Sequence, residues 1–171
     1  MRAPSGVATR PTADRVRQGL FEVLGDLRGA RVADLYAGSG ALGVEALSRG
    51  AESVVFVESA KSALKVLHNN LAELDLESQS TVLAMRLERA HRRVTEHGPY
   101  DVVLCDPPWT HLARAVTTIG ALFATGGLND GGIVTVEHPK EQSVELAGDF
   151  GLWQRRQWGG SAVSMFLWRG R

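Results

Sequence analysis

The sequence has little that would mark a secreted, membrane or metal-binding protein. Its 171 residues include one cysteine, Cys105, so no internal disulfide can form, and the apolar run around it favours a buried thiol in a reducing compartment. The N-terminus has no apolar core of the kind that signal peptides carry, and no apolar run approaches membrane-spanning length. The five histidines lack ligand spacing with one another or with Cys105. We therefore predict a cytoplasmic protein with no metal and no membrane contact.

The chain also lacks net charge, since 19 basic and 19 acidic side chains cancel. No overall field therefore attracts nucleic acid, although both ends of the chain are rich in arginine. The hydrophobic fraction of 44% suits one compact core. We expect a flexible segment over 1–9, a single domain over 10–171, and a monomer.

A glycine-rich turn between a strand and a helix is the feature around which we interpret the rest of the chain. Residues 32–35 form a short apolar run, and Gly38 and Gly40 follow where a Cβ would hinder the turn. A helical pattern starts at Ala41. A ligand can approach such a backbone closely and meet free N–H groups at the helix N-terminus. The turn therefore predicts a nucleotide-binding site.

Two classes of ligand compete for this turn. Gly38, Gly40 and Gly43 match the GxGxxG fingerprint of dinucleotide-binding proteins, which would make the chain a nicotinamide-dependent oxidoreductase. Asp34, however, lies four residues before Gly38, where its carboxylate would repel a pyrophosphate and attract a cationic amino-acid group. S-adenosylmethionine carries such a group, and Glu58 ends the second predicted strand, where an acid accepts hydrogen bonds from ribose hydroxyls. We therefore expect S-adenosylmethionine as the cofactor.

Strands and helices alternate along the chain. The predicted strands are 32–35, 53–57, 81–85, 100–105 and 133–137, the last closed by His138-Pro139, followed by a hairpin of 152–158 and 162–168 around Gly159-Gly160. Thr12 and Ser59 are the expected N-caps of the first and third helices. This pattern predicts an α/β fold with a mostly parallel sheet of about seven strands, helices on both faces and a crevice at the carboxyl ends of the strands. The glycine turn and Asp106, after the fourth strand, would then be neighbours.

The segment Asp106-Pro107-Pro108-Trp109 carries the predicted chemistry. Prolines donate no backbone hydrogen bonds, so the carbonyl groups of this loop are expected to stay free as acceptors. The Asp106 carboxylate and the Pro107 carbonyl can both accept from an exocyclic amine, while Trp109 offers a flat face for base stacking. Holding both N–H groups localises the amine lone pair towards an incoming methyl group. Alone, the tetrapeptide is more often a simple turn, and its predicted place beside the glycine turn favours the catalytic interpretation.

Together these motifs resemble the class I S-adenosylmethionine-dependent methyltransferases that act on exocyclic amines. More narrowly, Arg-Pro-Thr and the residues after it over 10–17, the segment 34–51, and the pair Asn69-Asn70 resemble the RsmD family. That family methylates N2 of a guanine in small-subunit (16S) ribosomal RNA. The resemblance covers residue 10 to the C-terminus and is densest over the first seventy residues.

The resemblance implies a Rossmann-like methyltransferase domain, with ribosomal RNA in the small subunit or its assembly intermediate as the partner. The implied catalytic residues are Asp106, Pro107, Pro108 and Trp109. The implied cofactor-binding residues are Asp34, Tyr36, Ala37, Gly38, Ser39, Gly40, Glu58, Ser59, Arg86 and Leu87. The implied RNA-binding residues are Arg10, Thr12, Arg15 and Arg17.

Three departures from the family pattern bear on the substrate. Relatives usually carry a basic β-hairpin before Arg-Pro-Thr, and most of it is expected to be missing here. Arg86 stands where many relatives have an acid near the adenine ring, so that contact would fall to the backbone around Leu87. The segment 158–161 reads Trp-Gly-Gly-Ser where the family tends towards Tyr-Gly-Asp-Thr. The alternatives are a methyltransferase for another RNA or DNA exocyclic amine, an inactive RNA-binding relative, or the oxidoreductase.

Overall fold

The computed structural model describes residues 11–124 and 126–170, with side chains from residue 13 onward. Arg10 and the expected flexible segment 1–9 lie outside the described residues. The described helices are α1 (Pro11–Leu24), α2 (Ala41–Ser48), α3 (Lys61–Glu73), α4 (Leu87–Glu96) and α5 (Leu112–Phe123). The described strands are β1 (Arg31–Asp34), β2 (Ser53–Glu58), β3 (Ser80–Ala84), β4 (Tyr100–Cys105), β5 (Leu128–Pro139), β6 (Phe150–Trp158) and β7 (Ser161–Trp168).

The strands form one sheet in the order β3-β2-β1-β4-β5-β7-β6. The first five strands are parallel, and β7 pairs antiparallel with both β5 and β6. The chain reverses its direction of winding between β1 and β4, where the register pairs Asp34 with Leu104. The predicted α/β fold with a C-terminal hairpin is confirmed, and so is the expected closeness of the glycine turn to Asp106.

Both faces of the sheet are buried, which explains why the central strands are continuously apolar rather than alternating. The helices α1, α2 and α3 pack on one face around Phe21, Phe56 and Leu67. The helices α4 and α5 pack on the other face, where Tyr100 and Phe123 meet edge to face at 6.4 Å between ring centroids. Because both faces are covered by helices, the open crevice lies at the carboxyl edge of the strands.

The fifth strand is longer than predicted. It begins at Leu128, after the Gly126-Gly127 turn, and it includes His138 and Pro139, which were expected to close it. Antiparallel pairing with β7 continues as far as Pro139 opposite Ser161, so the partner strand extends β5 beyond its apolar run. The His138 side chain is buried, and its ring nitrogens bond the Ser164 hydroxyl and the Pro139 carbonyl, each at 2.8 Å.

Two predicted helix caps are wrong. Pro11 takes the first position of α1, where its fixed φ and missing N–H cost nothing, so Thr12 lies inside the first turn rather than at the N-cap. At α3 the N-cap is Ala60 and its side chain makes no capping hydrogen bond. The Glu58 carboxylate bonds the N–H groups of Ser59 and Ala60 instead.

Within the described residues, no helix combines the length and the apolar character that crossing a membrane would require.

Candidate active site

The glycine turn after β1 has three glycines with different physical roles. Gly38 and Gly40 have left-handed backbones, with φ of 55° and 85°. A Cβ on Gly38 would meet no atom within 4 Å, so this residue leaves an open approach to the backbone. A Cβ on Gly43 would lie 2.2 Å from the Phe56 ring, so this glycine lets α2 pack closely against β2. The turn therefore has the open backbone and the close helix packing that a nucleotide site requires.

Asp34, at the end of β1, is an almost completely buried carboxylate that accepts one hydrogen bond from the described residues. It is 1% exposed, and its Oδ2 accepts a hydrogen bond of 3.0 Å from the Gly43 N–H in the first turn of α2. No described residue donates to its Oδ1. Burial raises the pKa of Asp34 to about 7, the Gly43 N–H opposes this rise, and the Glu58 charge adds to it. A buried acceptor without a donor favours a ligand that brings N–H groups.

Glu58, at the end of β2, is bonded mainly to backbone. Its Oε2 accepts from the Gly38 N–H at 2.8 Å, and its Oε1 accepts from Ser59 and Ala60 at 2.6 and 2.7 Å. A carboxylate has about four acceptor sites, so roughly one remains for a ligand. Glu58 thus joins the glycine turn to the start of α3, and it keeps room for one ribose hydroxyl rather than two.

A cavity of about 180 Å³ opens beside Glu58. Its lining residues come from the ends of β1, β2 and β3 and from α4 and α5: Leu35, Tyr36, Val57, Glu58, Ser59, Met85, Arg86, Leu87, Glu88, His111 and Arg114. Drug-sized ligands usually fill about 300 Å³ or more, so this volume suits part of a ligand, such as its nucleoside.

Five of the predicted cofactor-binding residues meet in that cavity, namely Tyr36, Glu58, Ser59, Arg86 and Leu87. Burial raises the pKa of Tyr36 to about 12, so its hydroxyl is neutral at physiological pH. Sequence reasoning missed Met85, Glu88, His111 and Arg114. Glu88 and Arg114 face each other at 3.7 Å across α4 and α5. Only the pairing of these two helices brings them to the cavity, and no local motif could have identified them.

The loop after β4 places an acid and an aromatic ring at the crevice. Pro107 is buried, whereas Asp106, Pro108 and Trp109 are exposed, and Trp109 is 53% exposed. The expectation that all carbonyls in this loop stay free is wrong for Pro108, whose carbonyl accepts from the His111 N–H at 2.7 Å in a short 3₁₀ turn. No described residue donates to the Pro107 carbonyl, so Asp106 and Pro107 keep acceptors available for an amine.

Asp106 lies among other acids at the point where the winding reverses. Desolvation by the crevice walls raises its pKa, and the charges of Glu137 and Asp34 raise it further. Glu137, near the carboxyl end of β5, was missed. The signal for it was available, because it ends the predicted strand that follows the Asp106 strand along the chain.

The predicted RNA-binding residues whose side chains the structure describes, Arg15 and Arg17, lie on α1. Arg15 is exposed, whereas Arg17 forms an ion pair of 3.0 Å with Asp14. Arg10 and the side chain of Thr12 fall outside the described part of the chain. The helix packs on the C-terminal hairpin through Gly19, where a Cβ would lie 2.4 Å from the Trp158 indole.

No group of three or more metal-ligating side chains occurs among the residues that the structure describes. The absence of a metal stays a prediction.

Comparison with known proteins identifies the family. The family model described as "Conserved hypothetical protein 95" matches residues 1–167. The chain belongs to this family, the RsmD family. The predicted resemblance is thereby confirmed.

Relatives of this RsmD-family chain cover most of its length. "Putative rRNA methyltransferase YlbH" of Bacillus subtilis is 32% identical over 174 residues, covering 99% of this chain and 94% of the relative. "Ribosomal RNA small subunit methyltransferase D" of Escherichia coli is 34% identical over 142 residues, covering 82% of this chain and 70% of the relative. A solved structure from Escherichia coli, "Putative methyltransferase yhhF", has a TM-score of 0.82 at 30% identity and covers 100% of this chain and 92% of that chain.

Proposed function

We propose that this protein uses S-adenosylmethionine to methylate the exocyclic N2 amine of a guanine in small-subunit (16S) ribosomal RNA. The observation that carries the proposal is the meeting of the glycine turn with the Asp106-Pro107 acceptors where β1 and β4 are neighbours. The relatives named as ribosomal RNA methyltransferases support the substrate class.

The residues present fit a cationic nucleoside ligand. Asp34 has a buried acceptor with no donor among the described residues, Gly38 leaves its backbone open, and Glu58 keeps an acceptor beside the cavity. The cofactor supplies an electrophilic methyl group on a sulfonium. In this assignment the turn residues Ala37, Gly38, Ser39 and Gly40 approach its amino-acid portion, Asp34 and Glu58 bind its polar ends, and Tyr36, Ser59, Arg86 and Leu87 line its nucleoside portion.

The acceptor amine is held by this chain's own groups. Asp106 and the Pro107 carbonyl accept its two N–H groups, the Pro108 carbonyl accepts from the His111 N–H and so closes the 3₁₀ turn that carries Trp109, and the exposed Trp109 ring stacks on the base. A paired guanine has to leave its stack to reach these residues. The exposed Arg15 on α1, together with Arg10, contacts phosphate, whereas Arg17 already has Asp14 as a partner.

An oxidoreductase is disfavoured by the same geometry. The charges of Asp34 and Glu137 both act on Asp106 next to the glycine turn, where a dinucleotide would place its pyrophosphate. Negative charges close together in a partly buried site repel each other, on the order of 4 kcal/mol for a separation of about 4 Å at an effective dielectric constant of about 20.

A methyl-transfer assay tests the proposal. Labelled S-adenosylmethionine is supplied with small subunits, and separately with naked 16S RNA, from cells that lack the modification, and the modified base is mapped. Label on guanine N2 is the expected result, and calorimetry is expected to detect S-adenosylmethionine binding but not NAD binding. Binding of NAD alone would restore the oxidoreductase, and cofactor binding without any labelling would indicate an inactive RNA-binding relative. We further propose one domain over 10–171, a cytoplasmic location and a monomer, the last testable by light scattering.

A further inference from the structure

Three acids share one face of the sheet at the carboxyl ends of β1, β4 and β5. The last register pair of β4 and β5 joins Cys105 to Val136, so the next residues along each strand are Asp106 and Glu137. Neighbouring strands lie about 4.8 Å apart, and successive side chains point to opposite faces. Cys105 and Val136 both belong to the core on the α4 and α5 side. Asp106 and Glu137 therefore emerge together on the other face, as Asp34 does.

Asp106 is the acid that lies next to Glu137. Glu137 is half-buried, burial raises its pKa, and a hydrogen bond from the Ser161 hydroxyl on β7 lowers it. The adjacent His138 ring points away, towards Ser164 and the Pro139 carbonyl. Asp34 on β1 acts on Asp106 from the opposite side, and the buried Cys105 thiol stays neutral because its pKa is raised.

We propose that Glu137 is a positioning residue for methyl transfer: its carboxylate, side by side with Asp106, keeps that carboxyl group basic enough to take up the proton that leaves the methylated amine. The inference rests on the proposed function. A neighbouring negative charge in a partly dry site disfavours ionisation of a carboxyl group, so ionised Glu137 makes Asp106 the stronger base.

The proposed step balances in atoms and electrons. The amine nitrogen of guanine forms a bond to the methyl carbon with its lone pair, and the bond from that carbon to sulfur breaks with its electron pair left on sulfur. The nitrogen then carries a positive charge, and its N–H bond breaks as the proton passes to Asp106. Glu137 keeps Asp106 basic enough to accept this proton, and the pair afterwards releases one proton to water.

The test is the pH dependence of turnover in the parent protein, in Glu137→Gln and in Glu141→Gln. Removing the neighbouring negative charge makes Asp106 more acidic, so the acidic limb of kcat in Glu137→Gln is expected to move to lower pH by about one unit. The dissociation constant of S-adenosylmethionine and the KM for RNA should stay within about twofold. Glu141 is exposed in the turn after β5 and pairs with Lys140, so its variant should reproduce the parent profile.

Two further variants keep the test decisive if Glu137→Gln does not fold. Glu137→Asp retains the charge and should keep the parent limb. Ser161→Ala removes a hydrogen bond that favours ionised Glu137, so its limb should move in the same direction as that of Glu137→Gln, by a smaller amount. If the parent protein is active and neither Glu137→Gln nor Ser161→Ala shifts the acidic limb of kcat, the role of Glu137 is overturned and the proposed function stands. A parent without methyl transfer would overturn the proposed function instead.

Discussion

Asp106 is expected to act on turnover and not on cofactor affinity, because its acceptors face the amine. Replacing Asp106 with Ala should lower kcat by roughly a hundred- to a thousandfold, the range found when one group that stabilises a transition state is removed. S-adenosylmethionine should still bind within a few fold. Single-turnover methylation and calorimetry measure the two effects separately.

Trp109, in the same loop as Asp106, is expected to affect RNA binding rather than turnover. Its exposed ring is assigned to stacking, so Trp109→Ala should mainly raise the RNA concentration required, since stacking contributes about 1–3 kcal/mol per base. A folded Asp106→Ala protein with near-parental turnover would return the loop to the role of a simple turn.

Asp34 is expected to release a proton when the cofactor binds. Its pKa of about 7 in the folded protein means that much of it is protonated at pH 6, and a cationic ligand favours the ionised form. Binding of S-adenosylmethionine at pH 6 should therefore release protons, and the release should diminish towards pH 8.5. Calorimetry in buffers of different ionisation enthalpy measures it.

Asp34→Asn supplies the comparison for that measurement, because it keeps an acceptor for the Gly43 N–H and removes the titrating group. The variant should bind the cofactor more weakly, by roughly ten- to a hundredfold, and release fewer protons. Equal release from both proteins would assign the protons to another acid. Asp34→Ala is less informative because it also removes the acceptor for the Gly43 N–H in the first turn of α2.

At the scale of elements, the close packing of α2 against β2 depends on Gly43. Ala has the better helix propensity by about 1 kcal/mol, but its Cβ would lie 2.2 Å from the Phe56 ring and 2.9 Å from Val54. Overpacking a core costs about 1–3 kcal/mol, so Gly43→Ala should lower the free energy of unfolding. Denaturant unfolding tests this.

Gly160→Ala is the matched control, because a Cβ there meets nothing within 4 Å. Its free energy of unfolding should remain within about 0.5 kcal/mol of the parent value. If Gly43→Ala proved as stable as this control, α2 would have room to move away from the sheet, and the fixed geometry of the glycine turn would be in doubt.

At the scale of the whole molecule, RNA binding has to arise locally, since the net charge is zero. Arg15 is exposed on α1, whereas Arg28 is paired with Asp26 in the loop before β1, at the other end of the sheet. Arg15→Gln should weaken RNA binding and reduce the slope of log K against log salt by about one. Arg28→Gln should leave the slope unchanged, and filter binding across salt concentrations measures both.

The Arg15→Gln variant should bind S-adenosylmethionine as tightly as the parent protein, because α1 does not line the cavity beside Glu58. An unaltered salt slope would move the RNA surface away from α1. The exposed arginines of α4 (Arg89, Arg92 and Arg93) or of β6 (Arg156) would then be the next to replace.

Local sequence determined the helices and strands, the glycine turn and the loop of residues 106–109, because apolar periodicity and the conformations of glycine and proline act over a few residues. The strand at Tyr100–Cys105 matches its predicted bounds, and the glycine turn and Asp106 lie beside each other as expected. Tertiary structure decided whatever depends on a distant partner. Pairing with β7 carries β5 past its apolar run to Pro139, the Glu58 carboxylate accepts from the Gly38 N–H, and packing of α4 beside α5 brings Glu88 to Arg114. Such contacts join residues far apart in sequence, so local patterns carry no signal for them.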